Sequence, residues 1–114
     1  MDIEQIKEEM HAAAKAAAQD YLQIHYSGRD HGACGFAWIV LPVQHDGRTR
    51  EGKAERKRIA SLGADHHWDG SSFMIWNPAE VGAQNVDCKE AGARAGAEVL
   101  KKHGFEAYAR SRLD

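Results

Sequence analysis

The chain has 114 residues, of which 43% are hydrophobic and 28% are charged. This composition is that of an ordinary globular domain, and the length predicts one domain, 1–114. The formal net charge of −2 excludes a protein that coats nucleic acid over its whole surface, so any such binding would have to use a local patch.

The first predicted element is an amphipathic N-terminal helix over 1–26. Asp2 and Gln5 form a capping box at its start, and Gly28 ends it. Its apolar residues recur in steps of three and four, which places them on one helix face: Ile3, Ile6, Met10, Ala13, Ala17, Tyr21 and Ile24. This narrow, alanine-rich face suits a helix laid on a flat surface. A seam between two copies is the alternative, so a homodimer through this helix is a second expectation.

The middle of the chain predicts a strand, a helix and a hairpin. Residues 34–43 are apolar on both faces, which is typical of a central strand covered on two sides. A mostly polar helix is expected from Thr49 to Leu62. Two short strands, 65–68 and 72–76, then form a hairpin around a tight Asp-Gly turn.

The last part of the chain predicts a long helix and an edge strand. Asp87 and Glu90 form a capping box for a helix that runs to His103. Residues 105–113 alternate between apolar and polar positions, as in a strand with one wet face. The core 34–114 therefore has the β-α-β-β-α-β order of a ferredoxin-like sandwich, and the fold class is α+β with a preceding helix. In that fold the first and third strands are central, and we expect the N-terminal helix to cover the second face of the sheet.

The densest group of cationic side chains lies in 47–58, where the predicted strand is followed by a helix. It holds six of the 15 Lys and Arg residues: Arg48, Arg50, Lys53, Arg56, Lys57 and Arg58. The segment begins G-x-x-x-x-G-K-A, so Ala54 stands where a P-loop has the hydroxyl that ligates magnesium. This argues against nucleotide hydrolysis. Two interpretations remain, a basic surface for an anionic partner or a solvated helix face with paired charges.

A second hypothesis concerns aromatic side chains. Residues 35–40, Gly-Phe-Ala-Trp-Ile-Val, loosely resemble the RNA-recognition-motif consensus, in which rings on a central strand stack on bases. That family carries this motif on its third strand, whereas here it lies on the first. Phe36, Trp38 and Phe73 are the candidate stacking residues of a single-stranded nucleic-acid-binding module. The alternative is that they are core residues beneath the N-terminal helix.

A third hypothesis is a zinc site in a metal-dependent enzyme. The spacing His31-x-x-Cys34 could hold zinc, and His66 and His67 could add ligands. No second short-spaced pair accompanies it, and scattered histidines are more often exposed or hydrogen-bonded. No nucleophile motif such as G-x-S-x-G is present, so the sequence predicts no catalytic residue and no cofactor.

Four short segments resemble uncharacterised small accessory proteins of phages and prophages: 52–56, 76–78, 89–93 and 111–114. The similarity covers about 35–114 and carries no residue with a known role. It implies a compact protein that acts by binding, including inhibitors of host enzymes and anti-defence proteins that block host complexes.

The sequence thus predicts a non-enzymatic binding protein whose partner, a protein or an anionic macromolecule, contacts the basic helix. The longest apolar run, 36–43, is too short to cross a membrane, and 1–4 is acidic with no signal-peptide pattern. We therefore expect a cytoplasmic protein, in the host cytoplasm if it is phage-encoded, without membrane contact. Cys34 and Cys88 are then expected to be free thiols.

Overall fold

A computed structural model describes residues 1–114 as three helices and four strands. The helices are α1 (Ile3–Tyr26), α2 (Arg50–Ala60) and α3 (Val86–Lys102). The strands are β1 (Gly35–Pro42), β2 (Asp65–His66), β3 (Ser72–Trp76) and β4 (Tyr108–Leu113). The predicted α+β class is confirmed. None of the helices has the length and apolar character needed to cross a membrane.

The helix starts follow from side-chain caps. The predicted capping box of α1 is formed, because Gln5 N–H donates to Asp2 and Asp2 N–H donates to the Gln5 side chain. The cap of α3 is Asn85 and not Asp87, since the Asn85 side chain accepts a hydrogen bond of 2.7 Å from Cys88 N–H. Asparagine is as good an N-cap as aspartate. Because α3 begins earlier than predicted, it also includes Val86, which is buried.

The four strands form one antiparallel sheet in the order β2-β3-β1-β4. The predicted central pair, β1 and β3, is confirmed, as are the two edges. β2 is shorter than predicted because His67 and Trp68 belong to the turn before β3. In the ladder, Trp38 lies between Trp76 and Arg110. Residues directly opposite each other in an antiparallel sheet share a face, so these three side chains project from the same side.

The core lies on the other side of the sheet, and all three helices contribute to it. Its members include Ala37, Ile39 and Leu41 of β1, Phe73 and Ile75 of β3, Ile6 and Met10 of α1, Ile59 of α2, and Ala93, Ala97 and Leu100 of α3. Gly96 marks the point where α1, α3 and β1 meet. A Cβ there would lie 3.0 Å from Ile39 Cδ1 and 3.4 Å from Met10 Cγ.

The position of α1 overturns one prediction. We expected α1 to cover the second face of the sheet, but it packs on α3 within the core of the first face. The physical reason is complementarity between two small-residue surfaces: a Cβ at Gly92 would lie only 2.8 Å from the Ala14 carbonyl oxygen. Of the stripe that suggested a dimer seam, Ile6 and Met10 are buried within the protein, whereas Ile24 is exposed. Farther along the helix, Ala14 and Ala18 are buried in place of the predicted Ala13 and Ala17. A homodimer through α1 stays a prediction, and it would have to use the polar outer face of that helix.

Candidate functional site

The sheet face opposite the helices carries most of the exposed aromatic side chains. We call it the open face. It consists of alternate residues of three strands, together with two residues of the turn before β3: Phe36, Trp38, Val40, Met74, Trp76, Tyr108, Arg110 and Arg112, with His67 and Trp68. The strict alternation of side chains along a strand separates them from the core residues on the helical face.

Trp38 is the centre of this aromatic cluster. Its ring lies 5.5 Å from that of Trp76 at an interplanar angle of 17°, and 5.0 Å from that of Trp68 at 61°. Only 4% of Trp38 is exposed, against 42% of Trp76 and 59% of Trp68. Trp38 therefore supports the other two, and they present their rings to solvent. Phe36, half-buried and 5.5 Å from Trp76, extends the platform along β1.

The Trp38 indole carries a buried N–H that has no hydrogen-bond partner. A buried indole usually donates to some acceptor, and an unpaired buried donor costs stability. The indole of Trp38 therefore costs some stability within this cluster.

Two arginines of β4 lie on the same face. Arg110 and Arg112 are two residues apart on a strand, which separates their Cα atoms by about 7 Å. The Arg112 guanidinium carbon lies 5.6 Å from the Phe36 ring centre and 5.9 Å from that of Trp68. Both arginines are exposed, and neither takes part in a salt bridge. Their positive charge is available to a ligand.

A shallow pocket of about 210 Å³ lies beside Trp68. Its walls are aromatic and aliphatic, with a polar rim: Trp38, Val40, His67, Trp68, Asp69, Tyr108 and Arg110. Pockets that enclose a whole drug-sized ligand are larger, about 300–1,000 Å³. This pocket is therefore suited to one flat group, laid on or between rings, and not to an enclosed drug-sized molecule.

The turn that carries Trp68 is fixed by Asp69. Its carboxylate accepts hydrogen bonds from Ser71 N–H (2.9 Å), Ser72 N–H (3.1 Å) and the Ser72 hydroxyl (2.8 Å). The bond from Ser71 N–H and then that from the Ser72 hydroxyl lower the pKa of Asp69 below its ordinary value of 3.8. Asp69 N–H in turn donates to His67 Nδ1 at 3.0 Å. Trp68 thus projects from an ordered turn.

The hydrogen bonds of Asp69 predict how the stability of the fold changes at acidic pH. Because the pKa of Asp69 is lower in the folded chain, its stabilisation is present above the unfolded pKa and is lost as pH falls through the folded pKa. Asp69→Asn should lower the melting temperature near pH 7 and have a smaller effect at about pH 2. The melting curve measured by circular dichroism at both pH values checks this. The control is Asp20→Asn at an exposed helix position. An equal decrease in melting temperature for Asp69→Asn at both pH values would contradict the assignment.

The structure divides the six predicted basic residues into two groups. Three are engaged: Arg48 pairs with Asp46 at 3.2 Å, Arg56 donates to the carbonyls of His45 and Gly52, and the Arg58 guanidinium lies 4.0 Å above the Phe105 ring. The other three are exposed on α2 and form no salt bridge or side-chain hydrogen bond: Arg50, Lys53 and Lys57. The side chains of this second group have no partner within the protein.

The glycine-rich start of α2 is closed by its own residues. The Asp46 carboxylate accepts from Arg48 N–H at 2.8 Å, and the Asp46 carbonyl accepts from Thr49 N–H at 3.0 Å. Thr49 caps the helix by accepting from Gly52 N–H. A Cβ at Gly52 would lie 1.8 Å from the Asp46 carbonyl oxygen, so this glycine is needed for a close turn. Backbone N–H groups at this helix start are therefore already satisfied by Asp46 and Thr49.

The three predicted stacking residues are not brought together. Phe36 and Trp38 lie on the open face, whereas Phe73 lies in the core and is 7% exposed. Phe73 and Trp76 are three residues apart, so strand alternation puts them on opposite faces and gives Trp76 the outward position. That signal was present in the sequence, as was the alternation that aligns Arg110 with Arg112. Trp68 could not have been found, because its position depends on where β2 ends.

The four weak metal candidates are also dispersed. His31 and Cys34 are exposed, the His66 ring packs 4.7 Å from Phe73, and His67 accepts from Asp69. No group of three or more His, Cys, Asp or Glu residues is placed to hold a metal ion. Both cysteines are free, and burial raises the pKa of the Cys88 thiol.

Comparison with protein-family models, with curated proteins and with solved structures finds no match to this chain.

Proposed function

We propose that the protein is a non-enzymatic binding module that holds a short single-stranded segment of nucleic acid on the open face. The observation that carries this proposal is the exposed Trp68 and Trp76 platform beside two unpaired arginines on the same face. Aromatic rings that stack on bases and cations that meet phosphates are the two components of single-strand binding surfaces.

Each component has a separate role. Trp76 and Trp68 offer ring faces to unstacked bases, and such stacking contributes about 1–3 kcal/mol per base. Arg110 and Arg112 neutralise phosphates along β4. Trp38 is too buried to touch a base, and it fixes the angle of the two exposed rings.

The proposed ligand is single-stranded because a duplex hides the faces of its bases within the stack. The charge distribution agrees with a short footprint. The chain has a net charge of −2, so attraction to phosphate depends on a local group of cations and not on the whole surface.

We also propose that the sheet belongs to the ferredoxin-like class. The strand order β2-β3-β1-β4 and the antiparallel pairing of every neighbour support this assignment. In the RNA recognition motif, a four-stranded sheet presents stacking aromatics on its surface. The open face of this chain offers rings from β1 and β3 in the same manner.

A fluorescently labelled single-stranded oligonucleotide tests the proposal by anisotropy. Two phosphate contacts predict a slope of about −1.4 for log K against log salt, since each contact on a single strand contributes about −0.7. The matched variant is Lys53→Glu/Lys57→Glu on α2, which should change affinity little because α2 packs on the helical face. An absence of binding at low salt, or equal binding of a duplex with the same sequence, would overturn the proposal.

A second candidate is an inhibitor of a host enzyme or defence complex that uses α2 as its contact surface. The exposure of Arg50, Lys53 and Lys57 without ion pairs favours it. It fits the resemblance to phage accessory proteins and a location in the host cytoplasm. If the Lys53→Glu/Lys57→Glu variant lost a cellular effect while it still bound oligonucleotide, the inhibitor role would belong to α2.

A further inference from the structure

Arg112 is held loosely above the aromatic platform. Its guanidinium carbon is 5.6 Å from the Phe36 ring centre, whereas that of Arg58 is 4.0 Å from Phe105. A distance of 4.0 Å is direct stacking, whereas 5.6 Å lies near the outer limit of about 6 Å for a cation–π contact. No hydrogen bond or salt bridge of its side chain fixes it, so small rotations of single bonds can move the guanidinium up or down.

The register explains why Arg112 lies there. It stands directly opposite Phe36 in the β1–β4 ladder, and its side chain also reaches within 5.9 Å of the Trp68 ring. A second cation near Phe36, Lys89, is different: it is 8% exposed and its ammonium donates to the Gly35 carbonyl at 3.0 Å. Of the two, only Arg112 is free to close on a ligand.

We infer that Arg112 is a clamp for one unpaired base, which lies on the Phe36 ring beside Trp76 while the guanidinium stacks on its outer face. This inference rests on the proposed function. A base between a ring and a guanidinium needs two contacts of about 3.5 Å, or about 7 Å in all. Arg112 has to rise by about 1.4 Å from its present distance to admit it. Arginine is suited to this role because its planar group stacks on rings, which a lysine ammonium does not do.

Arg110 is the comparison residue on the same strand. Its guanidinium lies 5.7 Å from the ring of Tyr108, which belongs to the same edge strand. We assign it a phosphate contact through its charge alone, whereas Arg112 adds a stack on the base to its charge. Arg110→Lys should therefore weaken binding less than Arg112→Lys, which keeps the charge and loses the stack.

The experiment compares Arg112→Lys, Arg110→Lys and wild type on a short single-stranded oligonucleotide and on the same strand with abasic residues. On the intact strand, Arg112→Lys should weaken binding by about 2- to 30-fold at an unchanged salt slope, and Arg110→Lys should weaken it by a smaller factor. On the abasic strand, wild type and Arg112→Lys should bind alike, because no base is present to be clamped. Circular dichroism confirms that both variants fold.

The outcomes separate the two proposals. If wild type binds the intact strand and Arg112→Lys binds equally well, the clamp is refuted and the proposed function stands. Equal losses for Arg112→Lys and Arg110→Lys, or a loss that persists on the abasic strand, would also refute the clamp. If wild type binds no single strand, both the clamp and the proposed function fail.

Discussion

Replacing Trp76 with alanine is expected to weaken single-strand binding by about 5- to 140-fold. This range is the free energy of one base–aromatic stack, about 1–3 kcal/mol, expressed as a ratio of dissociation constants. Trp76 is the main exposed ring of the open face, since it lies beside both Trp38 and Phe36 and is 42% exposed. Anisotropy with a labelled oligonucleotide measures the loss.

Two controls make this result specific. Trp76→Phe keeps a flat ring and should retain most of the affinity, because every base can stack on a phenyl face. The melting temperature of Trp76→Ala should fall only modestly, since the ring is partly exposed and contacts the sheet on one side. An alanine variant that is stably folded and binds like wild type would show that bases do not stack on this ring.

The second large effect concerns the packing of α1. Gly92→Leu should destabilise the fold by about 1–3 kcal/mol, or on the order of 10 °C in melting temperature. A Cβ at Gly92 would lie 2.8 Å from the Ala14 carbonyl oxygen and 2.8 Å from Ala79 Cβ, and neither atom can move independently of the backbone. The gain in helix propensity, about 1 kcal/mol, has the opposite sign and is smaller than the clash. Thermal unfolding followed by circular dichroism measures the change.

Glu98→Leu on the exposed side of α3 introduces the same side chain without a clash and should change stability by less than about 0.5 kcal/mol. Well below its melting temperature, Gly92→Leu should bind oligonucleotide like wild type, because α1 lies on the helical face. A higher melting temperature for Gly92→Leu would disprove the close contact between α1 and α3. A change in affinity would indicate that α1 reaches the open face after all.

Much of the fold follows from local signals in the sequence. The apolar stripe of α1, the apolar strand at 34–43 and the alternation at 105–113 each predict one element. The order and polarity of the strands correctly predicted which two are central. These signals do not predict which layer of the fold α1 joins, because a face of small residues can pack on a sheet or on a helix. Gly92 and Gly96 determine the position of α1, because their lack of a Cβ lets α1 lie against α3.

The position of α1 accounts for most of the difference between the predicted and the observed site. With α1 placed over the second face, Phe36 and Trp38 were as well explained as core residues, and the basic helix became the preferred contact surface. Once α1 lies on α3, the face with Trp68, Trp76 and Arg112 is left open to solvent. The basic residues of α2 remain a prediction. Three of the six form an ion pair, a hydrogen bond or a cation–π contact within the protein, which the number of charges in the sequence does not reveal.

The most direct test of single-strand binding is an NMR titration that follows the indole N–H signals of the three tryptophans. With a short single-stranded oligonucleotide, we expect the largest shifts at Trp76 and Trp68, accompanied by backbone amides of β1, β3 and β4, while the amides of α2 stay in place. Shifts concentrated on α2, or no shift at either exposed tryptophan, would contradict the account.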